Sequence, residues 1–187
     1  MRIFENHKAT LLINNDRYCI IDWRNENGTV VHYINYVLDK QRGVFMISGD
    51  MGECIAHWGN KLSVHNLCKY IYNDVGYFIS KFCCSSLRYT FDDKDILKDI
   101  KQFIQFIDTD CDDVLWSDVM DEIEDSRRDD YYFHPNENLR EILRDLDPDF
   151  WKWISTCGRK IHPNVKIWAL GFKLAVEQLG DEIKEDD

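Results

Sequence analysis

The apolar positions of this chain change their period once, near Gly59. Before it, short apolar runs occupy residues 9–13, 18–23, 29–38 and 44–47, and apolar character resumes at 55–58. Turn residues separate the runs: Asn14-Asn15-Asp16, Asn25-Glu26-Asn27-Gly28, residues 39–43 and Ser48-Gly49-Asp50. Gly, Asn and Asp break strands by tolerating turn conformations, and Asn-Gly is the strongest short hairpin signal. The pattern predicts an antiparallel meander of about four or five strands over 9–58. Strict alternation of apolar and polar residues is only partly kept, which predicts that helices cover one face.

After Gly59 the repeat lengthens to three or four residues, the spacing of a helix face. Leu62, Leu67, Tyr70 and Ile71 share a stripe with Ser63 as cap; Asn73-Asp74 reads as a break and a new cap, before Val75, Phe78, Ile79 and Phe82. Residues 88–91 read as one more strand or as an extended segment. Asp92 or Asp93 caps a helix with Ile96, Leu97, Ile100, Phe103, Ile104 and Ile107 on one side and Lys94, Lys98 and Lys101 opposite. A second helix is expected over 112–125, with Val114, Leu115, Val119 and Ile123 inward. Residues 130–135 form an aromatic loop, and Asn136 caps a helix over 137–146. Pro148 takes a first-turn position for a helix over 149–157 that Gly158 ends. Pro163 opens the last helix, 165–179, and Gly180 stops it. Trp151, Trp153, Trp168, Phe150 and Phe172 suffice for a packed helical core. The fold class is therefore α+β: an N-terminal antiparallel β-meander packed against a mainly helical C-terminal part. It reads as one domain over 1–187, with 1–59 mainly strand, 60–180 mainly helix and 181–187 a frayed acidic tail.

Charge changes this picture in one place. The net charge is −11, with 44% hydrophobic and 13% aromatic residues, so a filled core and an acidic surface coexist. Residues 1–91 hold 10 basic and 8 acidic side chains, residues 92–130 hold 5 and 15, and residues 131–187 hold 8 and 11. The excess comprises Asp108, Asp110, Asp112, Asp113, Asp118, Asp121, Glu122, Glu124, Asp125, Asp129 and Asp130. Positions 118, 121, 122 and 125 share one helix face, where like charges repel by a few tenths of a kcal/mol per pair. Stability alone does not select such a face. It is a candidate partner-binding stripe that imitates a phosphate backbone for a basic groove; the plain alternative is a solvated helix surface. Free nucleic acid is excluded as the direct partner, because phosphate binding needs clustered Lys and Arg. The run Asp108-Thr-Asp-Cys-Asp-Asp113 fails as an EF-hand, which wants Gly at position 6 and Glu at 12 where this chain has Asp113 and Val119.

Seven cysteines, no CxxC pair, no secretory signal and no apolar stretch of membrane-spanning length predict free thiols in a reducing cytosol, with no metal and no membrane. The glycines give neither GxGxxG nor a P-loop, and no HExxH or GxSxG is present. Cys54 and His57 are three apart, a spacing that by itself makes no nucleophile–base pair. One alternative site remains, the bend Ser48-Gly-Asp50-Met-Gly-Glu53 with His57 beyond it. Ser48, Asp50, Glu53 and His57 together would suit a hydrolase or a ligand site; a tight turn held by an Asp side chain is the plain reading.

Two stretches, ISGDMGECIAHW at 47–58 and FWKWISTCGRKIHPNVKIWALGFKLAVEQL at 150–179, resemble small phage- and prophage-encoded proteins in which an ISGDxG segment precedes a similar helical C-terminus. No catalytic role attaches to those motifs, so the resemblance carries over no site residue. By analogy it implies a host-defence inhibitor of the anti-CRISPR type, acting without enzyme activity or cofactor in the cytoplasm of a host bacterial cell. The expected partner is a basic nucleic-acid-handling protein such as a CRISPR effector. The alternatives are a small nucleotide-binding protein or hydrolase centred on the SGDMGE bend, and a phage assembly protein.

Overall fold

In the computed structural model, the described residues are 2–26, 33–107 and 114–183. The expected Asn27-Gly28 turn, the start of the third strand, the acids at 108–113 and the end of the tail lie outside them. The elements in chain order are β1 (His7–Asn14), β2 (Tyr18–Asn25), β3 (Tyr33–Asp39), β4 (Val44–Gly49), β5 (Cys54–His57), α1 (Val64–Asn73), α2 (Val75–Ser80), β6 (Phe82–Ser85), β7 (Tyr89–Phe91), α3 (Asp93–Phe106), α4 (Trp116–Glu124), β8 (Arg127–Arg128), β9 (Phe133–His134), α5 (Glu137–Leu146), β10 (Arg159–Ile161) and α6 (Pro163–Leu179). An α+β chain results, with the sheet first and most helix after it. Its contacts group into two compact units, 1–88 with 162–187, and 89–161. The second unit interrupts the sequence of the first.

In the first unit, β1 to β6 form one antiparallel sheet in sequential order. The expected meander is there, and β6 extends it from beyond α2. One face is apolar throughout: Leu11, Ile21, Tyr36, Ile47 and Cys54 lie in register across five strands, and Cys19, Leu38, Phe45, Ala56 and Phe82 form a parallel row. Helix α6 packs along this face. The Phe172 ring sits 4.9 Å from Phe45 and 5.1 Å from Tyr36, centroid to centroid. The Tyr36 hydroxyl donates to the Trp168 carbonyl oxygen (3.0 Å), so its burial leaves no orphaned donor. A Cβ at Gly171 would lie 2.5 Å from that hydroxyl, so glycine sets how closely the helix approaches the strands. On its other side α6 meets α1, which buries Val64, Leu67 and Ile71, and α2, whose Phe78 joins Phe45 and Phe82. Covered on both sides, α6 buries Val165, Ile167, Trp168, Ala169, Phe172, Ala175 and Leu179.

Caps form as their residue types dictate. Ser63, Asp74, Asp92 and Asn136 each accept a backbone N–H of the first turn they open. Helix α6 begins at Pro163 behind His162 and ends at Gly180.

The second unit has its own core. Ile96, Ile100 and Ile104 of α3 meet Val119 and Ile123 of α4, Leu139 and Leu143 of α5, and Phe133, Phe150, Trp153 and Ile154. Its first and last strands, β7 and β10, pair antiparallel, and β8, just before the expected aromatic loop, makes a two-residue ladder with β9 inside it. Two expectations change. The helix expected over 149–157 is two 3-10 turns, Phe150–Lys152 and Ile154–Thr156. Trp153 breaks it: its indole N–H donates to Asp147 (2.8 Å) and its ring stacks on Phe103 at 4.3 Å. The helix expected from 112 begins at Trp116, with Leu115 as an extended N-cap whose side chain is exposed, not inward.

At Gly49 φ is +146° and a Cβ would lie 2.1 Å from the Tyr33 carbonyl oxygen. Gly49→Val should destabilise the chain by at least about 3 kcal/mol, and Phe172→Ala by about 3–5 kcal/mol, read from urea midpoints. The six described cysteines are free. Thermal melts with and without reductant should therefore coincide; a lower Tm under reductant contradicts this.

Candidate functional site

The second unit, 89–161, holds 20 acidic and 10 basic side chains, a net charge of −10, whereas the first holds 14 and 13. Most of its bases are engaged locally. Arg128 pairs with Asp93, and Lys160 with Asp95. Arg140 (3.5 Å) and Arg144 (3.9 Å) both reach Glu137, and Lys152 reaches Asp149. The Lys101 ammonium sits 4.9 Å from the Trp116 ring centre, and the Arg159 guanidinium 4.5 Å from that of Tyr89.

Helix α4 carries part of what remains, and α5 carries Glu141 and Asp145, which are exposed too. Helix α4 buries Val119 and Ile123, one turn apart, which turns Asp118, Asp121 and Asp125 together to solvent. Glu124 and Asp130 are exposed as well. Among the described residues, no ion pair involves Asp118, Asp121, Glu124, Asp125 or Asp130. Asp118 accepts only the neighbouring Ser117 hydroxyl (3.1 Å). These five form an uncompensated negative surface.

Two acids of the predicted stripe do other work. Glu122 lies at the edge of the buried face, where its carboxylate accepts Asn136 (2.7 Å) and Asn138 (3.1 Å) side-chain amides and ties α4 to the start of α5. Asp129 accepts the backbone N–H groups of Tyr131 (2.7 Å) and Tyr132 (2.8 Å) and faces His134 Nε2 at 2.8 Å. These bonds, the imidazole first, hold its carboxyl down at about 2. Asp108, Asp110, Asp112 and Asp113 lie outside the described residues.

The sequence places Leu115 and Trp151 in the core, which their exposure overturns, and gives no role to the Phe106 or Tyr132 side chains. Phe106, at the end of α3, is 85% exposed; Leu115 and Trp151 are also exposed, as is Tyr132 beside Asp129. Phe103, Phe106 and Trp153 line a groove of about 450 Å³ with Asp99, Gln102 and Thr156. Each has a helix-like position in the sequence, so only exposure distinguishes them from core.

Three polar groups of the SGDMGE bend, the Asp50 carboxylate, the Glu53 N–H and the Met51 carbonyl, are engaged within the chain. Asp50 Oδ2 accepts the Tyr33 N–H (3.3 Å), closing the turn as the plain reading expects. The Glu53 N–H donates to Ser86 Oγ (2.9 Å), and the Met51 carbonyl accepts the Trp168 indole (3.2 Å) and Asn164 amide (3.0 Å). Ser48 pairs with Asn35, whereas His57 pairs with Val44 at the far end of β4, about 13 Å along the strand. The four alternative-site residues are thus not brought to one place. Cys54 faces inward and His57 outward, and burial pushes the Cys54 thiol up, away from the reactive thiolate. Burial likewise raises Cys157 to about 12 and Cys68 to about 11. Among the described residues, no group of three or more His, Cys, Asp or Glu side chains is placed to hold a metal ion, and no helix is long and apolar enough to cross a membrane.

The lowered Asp129 carboxyl fixes the sign of a pH effect. Its folded value lies below the unfolded one, so its contribution is present above about pH 4 and is lost as pH falls through about 2. Acid unfolding of Asp129→Asn should lack this component, so the stability gap from wild type, read by urea titration, should shrink between about pH 4 and 2.

Compared with protein-family models, with curated proteins and with solved structures, the chain matches none.

Proposed function

We propose that this chain is a phage-encoded, non-enzymatic inhibitor of a bacterial defence system. It binds a basic nucleic-acid-handling protein, such as a CRISPR effector, through the acidic surface of residues 89–161, and acts in the cytoplasm of the host cell. One observation carries the reading: Asp118, Asp121, Glu124, Asp125 and Asp130 are exposed and without a cation among the described residues. Carboxylates spaced along one helix face present negative charge as a phosphate backbone does, and a groove lined by Lys and Arg is its complement. Exposed Phe106, Leu115, Trp151 and Tyr132 in the same unit supply the apolar anchors that charge alone lacks. The phage origin rests on the resemblance of 47–58 and 150–179.

Single exposed charges contribute little, so the test reverses several at once. Lysine at Asp118, Asp121, Glu124 and Asp125 leaves Glu122 and Asp129, which hold the unit together, in place. The quadruple variant should stay folded and bind basic effectors, a CRISPR effector among them, at least about a hundredfold more weakly at low salt. Reversing Asp16, Glu177, Asp181 and Glu182 of the first unit should change affinity far less. Wild-type binding should weaken as salt rises and should compete with DNA. Binding that ignores both salt and the quadruple reversal removes the phosphate-mimic reading.

A further inference from the structure

Strand β6 carries the only adjacent cysteines of the chain, Cys83 and Cys84, and an irregularity in its pairing brings them together. Ser85 lies opposite Cys54 and Cys84 opposite Ile55, but Phe82, not Cys83, lies opposite Ala56. Cys83 is the extra residue of a β-bulge. In a regular strand, neighbouring side chains point to opposite faces. Here Phe82 is buried on the α6 side with Ala56, and Ser85 shares the inward row of Cys54. On the opposite face, Ile20, Val37, Met46 and Ile55 form an apolar row, and Cys84 ends it. Cys83 is exposed beside it. The order along β6 is therefore in, out, out, in, and two consecutive thiols stand on one face, open to solvent.

Either a disulfide or a bridging ion could join such a pair, and distance favours the ion. Among the described residues no peptide bond is cis, so the two Cα atoms are about 3.8 Å apart, short of the roughly 4.4–6.8 Å that disulfides span. Metal–thiolate bonds of about 2.3 Å, as in zinc sites, let one ion hold two sulfurs up to about 4.6 Å apart. Coordination number then selects the ion. Among the described residues, no third His, Cys, Asp or Glu side chain is placed to complete a set. Zn(II) wants four ligands. Cu(I) is soft, prefers sulfur and is satisfied by two thiolates in a line.

We propose that the Cys83–Cys84 bulge is a surface site for one Cu(I) ion. Binding forms two Cu–S bonds and breaks two S–H bonds; both protons pass to solvent and no electron moves. An ion held by two exposed sulfurs is open to attack by another thiolate, so the site suits an ion that is handed on. The other described cysteines offer no such pair: Cys19, Cys54 and Cys157 are buried, and Cys68 stands apart in α1. The inference concerns the first unit alone and does not depend on the acidic surface.

Anaerobic titration of the full chain with Cu(I), against a chromogenic Cu(I) chelator and with a non-thiol reductant present, tests it. Wild type should take up one Cu(I) per chain, gain the ultraviolet absorption of Cu–thiolate bonds and keep its sedimentation unchanged. Cys83→Ser and Cys84→Ser, each checked for native circular dichroism, should each weaken uptake at least about a hundredfold, because each leaves a single sulfur. Cys68→Ser should leave uptake as it is. Zn(II) in about tenfold excess should not displace the ion. A wild type that yields all its Cu(I) to the chelator overturns the proposal. So does uptake that survives either of the two serine substitutions at the bulge, an ion bridged between two chains, or displacement by Zn(II).

Discussion

The seating of α6 on the sheet is the contact on which the first unit depends. Phe172 and Trp168 come from the last part of the chain, Tyr36 and Phe45 from the first fifty residues, and no local contact substitutes for their meeting. The helix is buried on both sides, so removing it would strip cover from the sheet and from α1 and α2 alike. The close approach at Gly171 and the hydroxyl of Tyr36 fix one depth for the helix, and the Met51 carbonyl fixes its start through Trp168 and Asn164.

That last contact gives the SGDMG bend a physical role. The stretch at 47–58 and the end of the chain are far apart in sequence, yet they meet where Met51 accepts two side-chain donors from α6. The two stretches are two halves of one joint. Asp50 closes the turn on the Tyr33 N–H and the Glu53 N–H meets Ser86 Oγ, so the bend that carries this joint is itself anchored on either side of Met51.

The strands, the caps at Ser63, Asp74, Asp92 and Asn136, and the span of α6 were legible because each rests on local chemistry: β-branched runs between turn residues, an oxygen at an N-cap, proline before and glycine after. The two-unit division was not, because an insertion is announced only by which distant segments pair, here β7 with β10. Residues 150, 153, 154 and 157 kept the burial that helical spacing predicts, while Asp147 drew the Trp153 indole and broke the helix between them. Of the candidate site, the acidic stripe was visible as composition. The partition between Glu122 and Asp129, which are tied down, and Asp118, Asp121 and Asp125, which are not, required the partners that only folding supplies. The imperfect alternation of the early strands, read as a sign of helices on one face, also reflected the apolar row on the other.

Within the first unit, the His162 N–H donates to the Arg88 carbonyl oxygen at 2.9 Å. The chain therefore leaves and re-enters this unit through an opening one hydrogen bond wide. To the host, everything between is a loop whose ends are already joined, and the entropy of closing a loop grows by only about 0.6 kcal/mol for each doubling of its length. That junction therefore sets little limit on the length of the inserted segment: a longer or shorter insert leaves the two ends meeting at the same hydrogen bond. In the sequence, one break in the first unit's chain is enough to admit seventy-odd residues, and the strand and helix on either side of it are joined as a short turn would join them.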